Sequence, residues 1–361
     1  MATNLYEKIL TALSERFVRC EEIARVLALA IESGKNVLLW GPGGHGKSEM
    51  VQAALAVVAE ELDMFVQSFG EGMDEATLWG GLDFAALDRD KVLLYHPENS
   101  FLAKPFAVFE EMFDAPASVL LALKDTLTAR KLRKGSQVFA MKTKVIIAIT
   151  NKDPQEIEDL GPASKALIER FPLQLNIKWE SYSAKDYLAL FNKVTPFLSG
   201  ADLNGSMGVL AEIMAKAGEG DQPISPRSAV YALSVVKSAA ALRGGQKVEK
   251  EDLIDLKFID GLEGLAENIR QELEAAYERA AAEKRLAEAE AEMRGLMQEW
   301  DEISSSPIKL LQMAKRLTGL QDRVAGLKIT DGLSERRKQL RESVAQKITE
   351  AQTAALNATR I

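Results

Sequence analysis

Cysteine is all but missing: Cys20 stands alone in 361 residues, which excludes an internal disulfide framework and fits a reducing compartment. As a lone small hydrophobe it reads as a core residue. No apolar run approaches the ~20 residues that a membrane-spanning helix needs. The opening stretch MATNLYEKILTALSERF carries acids and no long apolar core, so it reads as neither signal peptide nor anchor. Asn204-Gly205-Ser206 matches a glycosylation acceptor, but without a secretory signal the match has no meaning. Positive charge is in deficit as well. A net charge of -8 excludes a chain-wide surface for polyanions and leaves only local basic patches. No internal repeat is visible. These absences, with 47% hydrophobic and 27% charged residues, predict a soluble cytoplasmic protein of two or three domains.

Five short apolar runs mark the first half: NVLLW (36–40), MFVQSF (64–69), KPFAVFEE (104–111), TKVIIAITN (143–151) and FPLQLNI (171–177). Each has the length and composition of a strand, and helical patterns lie between several of them. Another helical pattern precedes the first run, with Ile23, Val26, Leu27 and Ala30 at helical spacing up to Gly34. Residues 1–178 therefore read as a layered α/β domain with a mainly parallel five-stranded sheet. Strand patterns vanish in 179–262, where ALSVVKSAAAL and EDLIDLKFIDGL suggest a small all-α domain. Residues 263–361 shift to Ala, Glu, Lys, Arg, Leu and Gln. They break at SSSP (304–307) and TDG (330–332), which predicts about three long helices in a hairpin or coiled coil. Leu286, Met293 and Leu296, then Leu310, Leu311, Met313 and Leu317, recur at spacing that would pack such helices. The stretch 263–302 holds 12 acids and 5 bases, and 303–361 holds 5 acids and 11 bases. The two halves could fold back on each other, hold a partner of either sign, or simply be solvated faces.

Between NVLLW and EMVQAALAVV lies GPGGHGKS, which fits G-x-x-x-x-G-K-[ST] at every fixed position and in the strand–loop–helix context that motif requires. In the loop Gly41-Pro42-Gly43-Gly44-His45-Gly46 the glycines let backbone N–H groups turn inward around an anion, and the helix opening at Lys47, Ser48 and Glu49 adds its positive end. Lys47 would reach the β- and γ-phosphates of ATP, and the Ser48 hydroxyl would ligate Mg²⁺. His45 is a variable loop position. Hydrolysis needs acids at the end of a later strand, and FAVFEEMFDA supplies Glu110 for the Mg²⁺ side and Glu111 to polarise water. Asn151, after the apolar run of TKVIIAITN, is placed to stand between the second acid and the γ-phosphate.

The order of GPGGHGKS, VFEE, AITN, ALIERF and ISPRS resembles the AAA+ ATPases, and within them the MoxR-like group. The resemblance covers about 20–262 and implies a P-loop αβα core with a small α-helical lid; the tail lies outside it. It also implies a helix-2 insert, matched by position at 82–105, and a hairpin before the sensor-1 strand, matched at 127–144 around Gly135-Ser136. ALIERF makes Arg170 the candidate arginine finger, acting on a neighbouring subunit, and ISPRS makes Arg227 the candidate sensor 2 at the start of a lid helix. The family usually carries Asp where this chain has Glu110.

Such a resemblance implies ATP hydrolysis in a homo-oligomeric ring, expected as a hexamer. The motor would remodel or activate a protein client in a chaperone-like manner, beside a partner with a von Willebrand factor A domain. Three other readings stay open: the AAA+ subunit of a metal chelatase, a DNA-acting motor, and a non-hydrolysing ATP switch to which Glu110 would lend itself. The hairpin region holds Arg130, Lys131, Arg133, Lys134, Lys142 and Lys144, six bases in fifteen residues. Phe139 is the single aromatic among them, so base stacking finds little support and nucleic acid is the less favoured partner. No membrane partner is expected.

Overall fold

The computed structural model describes residues 4–59, 63–178, 180–203, 206–219, 223–303, 306–328 and 331–358. Asn204 and Gly205 of the acceptor tripeptide, and Ser304, Ser305 and Thr330 of the two tail breaks, lie outside the described residues. The chain divides into two compact units, Met1–Glu263 and Gly264–Ile361. No helix among the described residues is long and apolar enough to cross a membrane.

The five apolar runs of the first unit become β1 (Val37–Trp40), β2 (Met64–Ser68), β3 (Phe106–Glu110), β6 (Val145–Thr150) and β7 (Leu173–Asn176). Among the described residues they form one parallel sheet in the order β2-β3-β6-β1-β7. Strand periodicity sends alternate side chains to opposite faces, and both faces are covered. Val37, Leu39, Val108 and Ile147 pack beneath α1 (Leu5–Ser14), α2 (Glu21–Ser33) and α3 (Lys47–Leu55), through Ile9, Leu13, Leu27, Met50 and Val51. Leu38, Phe109, Ile146 and Ala148 pack beneath α6 (Ala117–Ala129), α7 (Pro154–Asp159) and α8 (Pro162–Ile168), through Leu120, Leu123, Ile157 and Leu167. Double coverage explains why β6 is buried throughout and apolar up to Thr150, whereas the edge strands β2 and β7 are only partly buried. The result is the three-layer αβα core expected of a P-loop fold.

Two excursions leave this core. α4 (Glu75–Leu78) and α5 (Phe84–Asp90) follow β2, and the 82–105 stretch then runs through two 3-10 turns. β4 (Lys131–Lys134) and β5 (Gln137–Ala140) form an antiparallel hairpin closed by Gly135-Ser136. Gln137 joins the two: its carbonyl oxygen accepts from the Tyr95 N–H at 2.7 Å and its amide donates to Tyr95 O at 3.0 Å.

After β7 the unit continues with α9 (Ala184–Val194), α10 (Ser206–Ala217) and α11 (Pro226–Leu242), which bury Tyr187, Phe191, Met214 and Leu233. EDLIDLKFIDGL reads as a helix and folds as a 3-10 helix over Lys250–Phe258. Its buried Leu253 and Leu256 are three residues apart, a spacing that three residues per turn aligns on one side.

The second unit contains α12 (Glu263–Ile303), α13 (Pro307–Gly326) and α14 (Ser334–Ala358). Ala282, Leu286, Ala289, Met293 and Leu296 are buried on α12, and Leu310, Met313, Leu317, Leu320 and Val324 on α13. Both series step by three and four residues, the repeat of coiled-coil packing. Leu311 falls off the stripe and is 57% exposed. The acidic and basic halves do fold back on each other: Glu299 pairs with Arg316 at 2.6 Å, Glu292 with Arg323 at 2.5 Å and Glu290 with Arg336 at 2.6 Å. We expect Leu317→Ala, at a fully buried seam position, to cost this unit about 2–5 kcal/mol. Urea unfolding of the full chain followed by circular dichroism should show the helix-rich transition moving to lower urea.

Candidate functional site

β1 runs out at Trp40, and the chain turns over the end of the sheet through GPGGHGKS into α3. Gly44 (φ +83°) and Gly46 (φ +70°) take left-handed conformations that other residues adopt at a cost. At Gly44 space adds to the requirement, because a Cβ there would meet Ser225 Oγ at 2.9 Å. Gly46 is the N-cap of α3 and brings no side chain to the amides of the first turn. Those donors point at whatever anion the loop receives, with the helix dipole behind them.

Lys47 is only 6% exposed, and its Nζ donates to Gly41 O at 2.6 Å, Pro42 O at 2.7 Å and Asn151 Oδ1 at 2.8 Å. Burial pushes its pKa down to about 8, with Arg227 adding to the fall and the Glu111 carboxylate opposing it. His45 is pushed down to about 4, chiefly by burial, so it is neutral at pH 7. Its Nδ1 lies 3.1 Å from Pro42 O, where the neutral ring donates its proton.

β3 and β6 end beside the loop. Glu111 steps off β3 in a left-handed conformation (φ 51°, ψ 41°), with its N–H donating to Ile149 O at 2.8 Å. Its carboxylate accepts from the Asn151 side-chain amide at 2.8 Å and the Asn151 N–H at 3.2 Å. Glu111, Asn151 and Lys47 are thereby linked in one hydrogen-bonded chain. Glu110, the last residue of β3, accepts from Ser68 Oγ at 3.1 Å at the end of the neighbouring β2. Ser48 follows Lys47 in the first turn of α3, and Glu49 after it faces Arg16 at 3.9 Å.

The two candidate arginines are placed differently. Arg227 is the second residue of α11 and donates its N–H to Gly44 O at 3.0 Å, so this helix touches the loop directly. A cavity of about 540 Å³ opens there, lined among others by Phe17, Gly44, Leu190, Phe197, Arg227 and Tyr231. Arg170 is not joined to this cluster: its Nε donates to Thr128 Oγ1 at 3.0 Å and its guanidinium pairs with Glu169 at 3.4 Å. Lys165, the other cation of that segment, pairs with Glu158 at 3.0 Å.

Three residues of this neighbourhood escaped the sequence reading. Ser225 is the N-cap of α11 and abuts Gly44, a role that Ser followed by Pro could have signalled. Ser68 belongs to an ordinary edge strand. Phe17 lies 24 residues before the loop and carries no motif.

A family model described as the MoxR domain in MoxR-vWA-beta-propeller ternary systems matches residues 3–189, more than half of the chain. The match spans the phosphate-loop motif, both acids, Asn151 and Arg170, and stops short of Arg227. Among solved structures, a candidate ATPase of Cytophaga hutchinsonii shares 17% identity over 74% of this chain and 94% of its own, with a TM-score of 0.39. A point mutant of Thermotoga maritima RuvB shares 15% over 68% of this chain and 71% of its own, with a TM-score of 0.46. No curated protein matches. With its αβα core, its phosphate-loop motif and this match, the chain belongs to the MoxR family of AAA+ ATPases.

Proposed function

We propose that this chain hydrolyses ATP in a ring of its own copies and uses the energy to remodel or activate a protein client. The observation that carries this reading is the Glu111–Asn151–Lys47 chain laid beside the uncapped start of α3. In this reading residues 1–178 are the ATPase core, 179–262 the lid and 263–361 a helical tail.

The loop from Gly41 to Glu49 would receive the phosphates, with Lys47 Nζ exchanging its carbonyl acceptors and Asn151 for phosphate oxygens. Asn151 would then be left with Glu111, between the acid and the γ-phosphate. Glu111 would polarise the attacking water, and Arg227 would sense the nucleotide from the lid. When bound, Mg²⁺ supplies neutralisation of the phosphate charge. Among the described residues no group of three His, Cys, Asp or Glu side chains is arranged around an ion. Mg²⁺ takes few carboxylates and keeps its waters, and in this reading Ser48 and Glu110 are the residues to hold it. The hydrogen bond from Ser68 restrains a Glu110 side chain one methylene longer than the family's usual Asp.

Arg170, held by Thr128 and Glu169, would complete the site of a neighbouring copy in a ring expected to be hexameric. The family description supports a von Willebrand factor A domain protein as the partner and leaves a β-propeller protein as a third component. The cytoplasm is the proposed compartment.

ATP turnover in a protein dilution series tests the ring: specific activity should rise with concentration and ignore added single-stranded DNA. Arg170→Ala should lose roughly 10³-fold or more in turnover, as trans arginines do, while still binding ATP. Mixing it with Lys47→Ala subunits should restore part of the activity, and absence of rescue would argue against a finger in trans. Lys47→Ala alone should lose binding of a fluorescent ATP analogue; unchanged affinity would remove the loop from the mechanism. Glu111→Gln should bind and trap ATP with turnover down by about 10²–10⁴-fold. Wild-type turnover in that variant would place the catalytic acid elsewhere.

A further inference from the structure

The connector between α1 and α2, Ser14 to Arg19, forms a strap across the cavity beside the loop. In its middle, Phe17 presses on the phosphate loop: a Cβ at Gly46 would meet the Phe17 ring at 3.3 Å. Phe17 lines the cavity on the core side, facing Leu190, Lys193 and Val194 of α9 on the lid side. The strap is also bonded to that lid helix near both its ends. Lys193 Nζ donates to Ser14 O, and Arg19 Nη2 pairs with Asp186 at 2.6 Å. Arg19 Nη1 donates to Glu180 O at 3.0 Å, and its guanidinium lies 4.8 Å from the centre of the Tyr182 ring. Tyr182 in turn donates its hydroxyl to Val18 O at 3.2 Å.

Arg19 makes these contacts from a left-handed backbone, φ +57°, where glycine is at ease and arginine is not. A strained conformation persists only where its surroundings fix it, and here the guanidinium has an ion pair, a carbonyl and a ring face to hold it. The site combines three kinds of contact that lysine or glutamine could supply only in part.

We propose that Arg19 is a positioning residue, which clasps lid helix α9 to the Ser14–Arg19 strap and so fixes the lid against Gly46 at the mouth of the cavity. The inference rests on the ATP-site reading of the preceding subsection. Turning α9 away from the loop would break the Asp186 pair or pull Phe17 off Gly46. The lid angle and the start of α3 therefore change together, through a segment with no chemistry of its own.

A fluorescent ATP analogue titrated into the full chain tests this, with hydrogen exchange of the α9 amides as a second readout. Arg19→Gly relaxes the left-handed backbone, so it should fold. Asp186→Asn removes the charge but keeps an oxygen for the Ser183 hydroxyl and N–H, now at 2.6 and 2.9 Å, and so keeps the cap of α9. Each should weaken binding about tenfold, with turnover at saturating ATP kept within about twofold and with faster exchange in α9. Arg19→Lys keeps the pair with Asp186 and should lose only about threefold. Wild-type affinity in both Arg19→Gly and Asp186→Asn would overturn the clasp, as would equal losses of affinity and turnover with unchanged α9 exchange. Lys47→Ala serves as the control: if it binds like wild type, the ATP-site reading fails first, and the clasp with it.

Discussion

The buried ammonium of Lys47 is the constraint on which the site depends. An uncompensated charge at such depth would be costly, so the fold must bring acceptors to it. Two come from the loop itself, Gly41 O and Pro42 O, and the third from Asn151 across the sheet. The carboxamide of Asn151 has one orientation that suits both neighbours. An ammonium offers no lone pair and a carboxylate no donor, so Oδ1 must face Lys47 and Nδ2 must face Glu111. The ends of β1, β3 and β6 are thereby tied together through side chains as well as through the sheet.

Such an arrangement stores a choice. The same three acceptors that satisfy Lys47 in the structure are the ones phosphate oxygens would displace, because a charge-assisted bond to an anion is stronger than one to a neutral carbonyl. The start of α11 lies beside these acceptors, since Arg227 N–H rests on Gly44 O and Ser225 fills the space where a Gly44 side chain would be. Helix α11 meets the loop at Gly44 and the strap before α2 meets it at Gly46, two left-handed positions where the missing Cβ leaves room for Ser225 and for the Phe17 ring.

The second unit is held by different physics. Its interhelical ion pairs, that of Glu283 with Arg336 included, join side chains that keep contact with solvent, and pairs of that kind contribute roughly 0–1 kcal/mol each. The apolar seam, with Leu286, Leu310 and Leu317 fully buried, contributes about 1.5–3 kcal/mol per side chain. The seam therefore supplies the stability, and the charges select which faces meet. This explains why the acid-to-base asymmetry of the tail was informative about pairing.

The sequence by itself determined the elements and the chemistry written in contiguous residues. The strands were legible because parallel strands covered on both faces must be continuously apolar, and GPGGHGKS because a phosphate loop draws its donors from one short segment. The acids at the end of VFEE and the polar end of AITN followed from strand ends, since parallel strands deliver their C-terminal residues to one edge. The 3-10 geometry of Lys250–Phe258 was not legible, because i and i+3 spacing also suits an α-helix. Only the tertiary structure decided which end of Asn151 faces which neighbour, that Ser68 holds Glu110, that Arg170 turns to Thr128, that Phe17 packs on Gly46 and that Arg19 pairs with Asp186. Those contacts join residues 29 to 167 positions apart, and a separation of that size is closed by packing of the whole core rather than by any signal a short window of sequence can hold.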